Sequence, residues 1–113
     1  MMPSEVMEYE IAPEDVRTLR EQNSNFALVD VREAWEYEAA CIAASVHIPM
    51  GEIPSRAHQE LDPDQHIVVL CHHGVRSLSV TNWLRNQGFE KAQSMRGGID
   101  AWSRRIDPKV PTY

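Results

Sequence analysis

Apolar positions along this chain fall in short blocks separated by polar turns, and two of those blocks are continuous. Phe26-Ala27-Leu28-Val29, continuing through Asp30 to Val31, and Ile67-Val68-Val69-Leu70 are too short for buried helices. Such runs, the second mostly β-branched, are the pattern of strands covered on both faces. Shorter blocks predict three further strands: Glu8 to Ile11 as an edge, Ser45 to Pro49 stopped by its proline, and Ala92 to Met95.

Between the strands the pattern turns helical. Pro13, followed by Glu14 and Asp15, opens a helix carrying Val16 and Leu19, which fails at Asn23-Ser24-Asn25. Glu33 to Ala40 and Gly51 to Leu61 are short helical candidates, the second with Pro54 in its first turn. Leu78, Val80, Thr81 and Leu84 give a helix from about Ser77 to Gln87, capped by Gly88. A last helix with Ile99 and Trp102 follows the turn at Gly97-Gly98. Strands alternating with helices predict an α/β fold, a parallel sheet with helices on both faces. Residues 1–7 read as a loose leader and residues 8–113 as one domain.

Composition narrows the function classes. At 113 residues and 42% hydrophobic content there is core for one compact domain. A net charge of −6 excludes a general nucleic-acid or anionic-membrane surface. No apolar run is long enough to span a bilayer, and the acidic amino terminus with Pro3 is no signal peptide. Cys41 and Cys71 make no disulfide framework. The expectation is a soluble cytoplasmic protein whose cysteine, if functional, works as a thiolate.

That cysteine is Cys71. The buried strand delivers it to a loop, His72-His73-Gly74-Val75-Arg76-Ser77, that runs into the next helix. In a parallel sheet this is the carboxyl end of a central strand, where sites form. Backbone N–H groups and the positive helix end favour an anion there, and Arg76 adds a permanent cation. Cysteine is often mere core filling, but two histidines, a glycine and an arginine are not core-filling neighbours.

Three stretches in order, Asp30-Val31-Arg32-Glu33 with Glu36 and Tyr37 behind it, the Cys71 loop, and Gly97-Gly98-Ile99-Asp100-Ala101-Trp102, resemble a single-domain rhodanese. The resemblance runs from about Tyr9 to the end. It implies a five-stranded parallel sheet and a sulfurtransferase in which Cys71 takes a sulfane sulfur, holds it as a persulfide and passes it to a thiophilic acceptor. His72, His73, Gly74, Val75, Arg76 and Ser77 would then form the loop around the outer sulfur, with Asp30 and Arg32 supporting it. The ending from Ile106 to Tyr113 is similar to tails of rhodanese domains fused to adenylyltransferases, which points to a sulfur carrier protein as one acceptor. No cofactor or metal is implied; the partners are a small anionic sulfur donor and a thiophilic acceptor, with no nucleic acid and no membrane. One stretch departs from the family pattern G-H-I-x-G-A: here Ala40-Cys41-Ile42-Ala43-Ala44-Ser45 replaces both glycines with alanine. If those glycines serve a left-handed backbone, the loop is altered.

Other assignments compete for the same residues. His72 and His73 either donate to an anionic donor or point into water. A zinc site from His72, His73, Cys41 and Cys71 has the ligand types but no supporting spacing. Cys41 is either a resolving thiol or an inert one. Cysteine phosphatases and arsenate reductases also cradle an anion between cysteine and arginine, but need one residue more than the four separating Cys71 from Arg76. A non-catalytic interaction module or sulfur carrier is the remaining alternative.

Overall fold

The computed structural model describes residues 7–113, so the expected leader lies, apart from Met7, outside the described residues. The strands are β1 (Glu10–Ile11), β2 (Phe26–Asp30), β3 (Val46–His47), β4 (His66–Leu70) and β5 (Ala92–Met95). The helices are α1 (Pro13–Glu21), α2 (Ala34–Ala39), α3 (Ile53–Glu60), α4 (Val75–Asn86) and α5 (Gly98–Arg105), with a 3-10 turn at Met50–Glu52 leading into α3. The five strands form one sheet in the order β1-β5-β4-β2-β3, and each neighbouring pair is parallel.

Strand β4 is central because its residues have apolar partners above and below. Ile67, Val68, Val69 and Leu70 are fully buried, which stabilises the fold by roughly 1.5–3 kcal/mol for each side chain. Successive residues point to opposite faces. Val68 and Leu70 join Leu28 and Met95 against Val16 of α1 and Ile99 and Trp102 of α5. Ile67 and Val69 join Val29 and Ala92 against Ile53 and Ala57 of α3 and Val80 and Leu84 of α4. Helices therefore cover both faces.

The strand order also locates the crevice. From β2 the chain moves outward to β3, whereas from β4 it moves the other way to β5. The connections leaving β2 and β4 thus diverge at the carboxyl end of the sheet, the topological switch point where open α/β sheets bind ligands. The Asp30-to-Glu36 stretch lies on one side of that point and the Cys71 loop on the other.

Local departures from the sequence expectation have physical causes. Strand β3 keeps only Val46 and His47, because its partner β2 ends at Asp30, opposite His47. Helix α4 opens at Val75, two residues before Ser77. Gly74 stands before it with φ 108°, a left-handed turn that lets the helix begin at once. In the departing stretch Ala40 is extended, at φ −165°, as any residue can be. Ala44, at the second glycine position, adopts φ 67°, a conformation that strains an L-residue by roughly 1–2 kcal/mol. Ala44→Gly is expected to stabilise the protein by about 0.5–1 kcal/mol once glycine's extra unfolded-state entropy is subtracted. Urea unfolding of the two proteins, compared at equal slope, measures it.

Candidate active site

Cys71 follows β4 directly, and its residue exposure is 1%. The left-handed Gly74 folds the loop back so that its N–H points to Cys71 Sγ at 3.1 Å. Ser77, in the first turn of α4, has no intrahelical partner for its N–H, and directs it to the same sulfur at 3.3 Å. The thiol in turn donates to Ser77 Oγ at 3.3 Å, and Ser77 Oγ shares a 2.7 Å hydrogen bond with Ser94 Oγ of β5. On ionisation the Ser77 hydroxyl can reverse and donate to the sulfur, with Ser94 donating behind it. Three donors then face one thiolate at a helix amino terminus. Ser94 carried no sequence signal: a serine in the short strand Ala92–Met95 looks like filler until the fold sets it behind Ser77.

The turn at Gly97-Gly98 holds this loop from beneath. Ile99 N–H donates to Cys71 O at 2.8 Å, and Asp100 N–H to His72 O at 3.1 Å. Gly98 has φ 64°, and a Cβ placed there would lie 2.5 Å from Cys71 O. Backbone on backbone at this distance leaves room for glycine alone. Trp102 is buried in the core between α5 and the sheet.

Across the switch point lies a chain of charges. Asp30 and Arg32 are fully buried and pair with each other, Nε to Oδ1 at 2.9 Å and Nη2 to Oδ2 at 2.6 Å. Arg32 also donates to the carbonyls of Glu36 and Ala40, fixing α2, and to the Tyr113 hydroxyl at 2.9 Å. Tyr113 donates onward to Glu36 Oε2 at 2.8 Å. Glu36 closes a capping box by accepting the Glu33 N–H, and it grips Arg76 with both oxygens, at 2.8 and 2.9 Å. Arg76 sits in the first turn of α4, where a cation is unfavourable beside the helix dipole. The Glu36 carboxylate offsets that cost. In the sequence Arg76 is the loop's free cation, whereas in the structure its fork is already engaged.

The Arg76 guanidinium, helped by the Glu33 N–H and the Tyr113 hydroxyl and opposed by burial, holds the Glu36 carboxyl at about 2, against an ordinary 4.5. A depressed folded value means stability that is present above the ordinary value and lost as pH falls through the folded one. Between pH 4.5 and 2 this group alone withdraws on the order of 3 kcal/mol. Glu36→Gln should therefore be less stable than the parent near neutrality, with the difference shrinking as the pH is lowered from 5 to 3. Denaturant unfolding across that range checks the slope.

His72 and His73 stack on each other, ring centroids 3.9 Å apart, and the outer face of His72 stacks on Tyr113 at 4.0 Å. Burial, with the neighbouring His73, lowers the His72 pKa and favours its neutral form. His73 is exposed, with Nε2 4.0 Å from Asp100. His72, His73 and Asp100 bring ligand atoms within 4.8 Å of one another, but Arg104 already occupies Asp100 at 3.1 Å. They form a polar wall of the loop. Cys41 is exposed after α2, and among the described residues no amide is directed at its sulfur.

A Rhodanese-like domain model matches residues 12–105. The chain is 37% identical over 100 residues to YtwF of Bacillus subtilis (strain 168), provisionally named a sulfurtransferase, covering 88% of this chain and 95% of that one. It is 39% identical over 92 residues to the thiosulfate sulfurtransferase GlpE of Pseudomonas syringae pv. syringae (strain B728a), covering 81% and 84%. The crystal structure of a rhodanese-related protein from Thermoplasma volcanium superposes with a TM-score of 0.77 at 29% identity, over 94% of this chain and all of that one. Other relatives are longer: the chain spans 52% of the Bacillus subtilis protein YrkF, provisionally named a sulfur carrier protein, and 30% of a chloroplastic Arabidopsis thaliana rhodanese-like/PpiC domain-containing protein. With this match over most of its length, the chain belongs to the rhodanese-like domain family.

Proposed function

We propose that this chain is a sulfurtransferase that moves a sulfane sulfur, through a persulfide on Cys71, to a thiophilic acceptor. The observation that carries it is the setting of Cys71 Sγ, buried yet surrounded by the Gly74 and Ser77 N–H groups and the Ser77 hydroxyl. A buried cysteine serving only as packing has no use for convergent donors. A nucleophile does, because they stabilise the thiolate and then the charge on the sulfur it captures.

The transfer balances without an external oxidant. The Cys71 thiolate attacks the outer sulfur of the donor, the new S–S bond forms, and the donor's own bond to that sulfur breaks. The electron pair leaves on sulfite when the donor is thiosulfate, or on a thiolate when it is a persulfide. An acceptor nucleophile then attacks the outer sulfur and returns Cys71 as thiolate. Cyanide serves as acceptor in the thiosulfate:cyanide reaction, and a sulfur carrier protein or another thiol would serve in its place. His72, His73, Val75 and Arg76 complete the loop around the position of the outer sulfur. Asp30 and Arg32 hold the α2 side of the site, and so the Glu36 carboxylate that reaches Arg76. The four residues between Cys71 and Arg76 make a loop that suits a single sulfur atom better than the tetrahedral phosphate of a phosphatase.

Mass spectrometry tests the reading directly. After incubation with thiosulfate or an organic persulfide, Cys71 should carry one extra sulfur, which added cyanide removes. Loading that cyanide cannot discharge would favour a carrier module over an enzyme. Protein that acquires no sulfur from either donor would overturn the proposal.

A further inference from the structure

The charges at the loop point to a preference among donors, an inference that rests on the sulfurtransferase reading above. Thiosulfate is a dianion and must approach a thiolate. A site built to bind it would offer unpaired cations. Among the described residues, the arginines around the loop are each already partnered: Arg76 by Glu36 in a bidentate pair, Arg32 by Asp30, and Arg104 by Asp100. His72 is biased toward its neutral form by burial, and His73 lies beside Asp100. The whole chain carries a net charge of −6. What faces the thiol is a set of neutral donors, and beside the polar wall of His72 and His73 the surface exposes two apolar side chains. Val75, on the loop itself, is 80% exposed, and Trp35, 64% exposed, meets the Tyr113 ring edge-on at 5.9 Å beside His72.

We propose that Glu36 is a specificity-determining residue: by occupying both arms of Arg76 it withholds the loop's guanidinium from the donor, and so steers the site from dianionic thiosulfate toward a persulfide carried on an organic thiol. For such a donor, R–S–SH, the Cys71 thiolate attacks the terminal sulfur. The bond between the two donor sulfurs breaks, R–S⁻ departs with the electron pair, and the proton stays on the transferred sulfur. No second negative charge has to be neutralised, and R rests against Val75 and Trp35. Thiosulfate gains neither contact. It competes instead with a tethered carboxylate for Arg76, and a tethered group has a high effective concentration.

The test compares rates of sulfur loading onto Cys71, followed by quenched mass spectrometry, for thiosulfate and benzyl hydropersulfide. Glu36→Gln frees Arg76 of its charged competitor while leaving the shape. It should raise the thiosulfate rate constant by about tenfold relative to that for benzyl hydropersulfide, the worth of one charge-assisted hydrogen bond. The ratio is the readout, because any change in thiolate population moves both donors alike. Equal changes for the two donors, or an unchanged ratio, would overturn the proposal. Should the variant fail to fold, the parent protein still decides. Its thiosulfate rate should hold or rise with added salt, as screening relieves repulsion from the acidic chain. A rate that falls with salt would mean that a free cation grips the anion, and the proposal fails. If neither donor loads Cys71, the sulfurtransferase reading itself falls and takes this inference with it.

Discussion

Cys71→Ser is expected to remove sulfur transfer down to the uncatalysed background, while Cys41→Ser keeps nearly all of it. The two cysteines differ in everything that makes a thiol reactive. Cys71 is buried at the end of a central strand with two backbone N–H groups and a hydroxyl directed at its sulfur. Cys41 is exposed on the loop after α2. Serine is close in size, so the loop should fold around it with little loss of stability. Its oxygen, however, ionises with difficulty and bonds sulfur poorly, so no persulfide can form. Thiosulfate:cyanide kinetics and persulfide loading, measured on both variants and the parent, give the result. Transfer retained in Cys71→Ser would move the nucleophile elsewhere; transfer lost in Cys41→Ser would make the exposed thiol a partner in turnover.

The sheet was legible because its signals are local. Ile67 to Leu70 can hardly be anything but a doubly covered strand, and alternation with helical stretches then implies parallel pairing. Element ends were less legible where a glycine decided them. Gly74 does not look like a helix cap until its φ of 108° is known, so Val75 and Arg76 read as loop though they form the first turn of α4. The candidate nucleophile and its loop also stood out, as a cysteine followed by residues unsuited to a core. What stayed hidden were contacts made across the switch point. Glu36 and Arg76 are 40 residues apart, and Tyr113 and Arg32 are 81 apart. No spacing rule joins them. An arginine in an anion-binding loop therefore reads as free, and only the fold shows that a carboxylate has reached it first. The Ala44 departure was legible in the opposite sense: the sequence marked where a glycine was missing, and the φ of 67° shows what its absence costs.

Gly98→Ala should slow the site by about 100-fold, although Gly98 contacts no reacting atom. Its φ of 64° alone would strain an alanine by roughly 1–2 kcal/mol. The larger effect is steric. The new Cβ would fall 2.5 Å from Cys71 O and closer still to His72 O, both backbone atoms with nowhere to rotate. Either α5 lifts off the loop, breaking the bonds from Ile99 and Asp100 to those carbonyls, or Cys71 itself shifts relative to the Gly74 and Ser77 N–H groups. A displacement near 1 Å of a reacting group costs about 100-fold in rate, and the combined strain should lower stability by roughly 3 kcal/mol. Gly97→Ala separates the two consequences. Its Cβ would meet the Ala101 side chain within α5, at 2.6 Å, and not the loop carbonyls, so it should destabilise the helix while sparing more of the loading rate. Gly51→Ala, with nothing within 4 Å, should change neither. Unfolding and Cys71 loading measured on the three variants rank them. If Gly98→Ala loses stability yet loads Cys71 at the parent rate, the turn supports the fold alone and the cradle keeps its own shape without it.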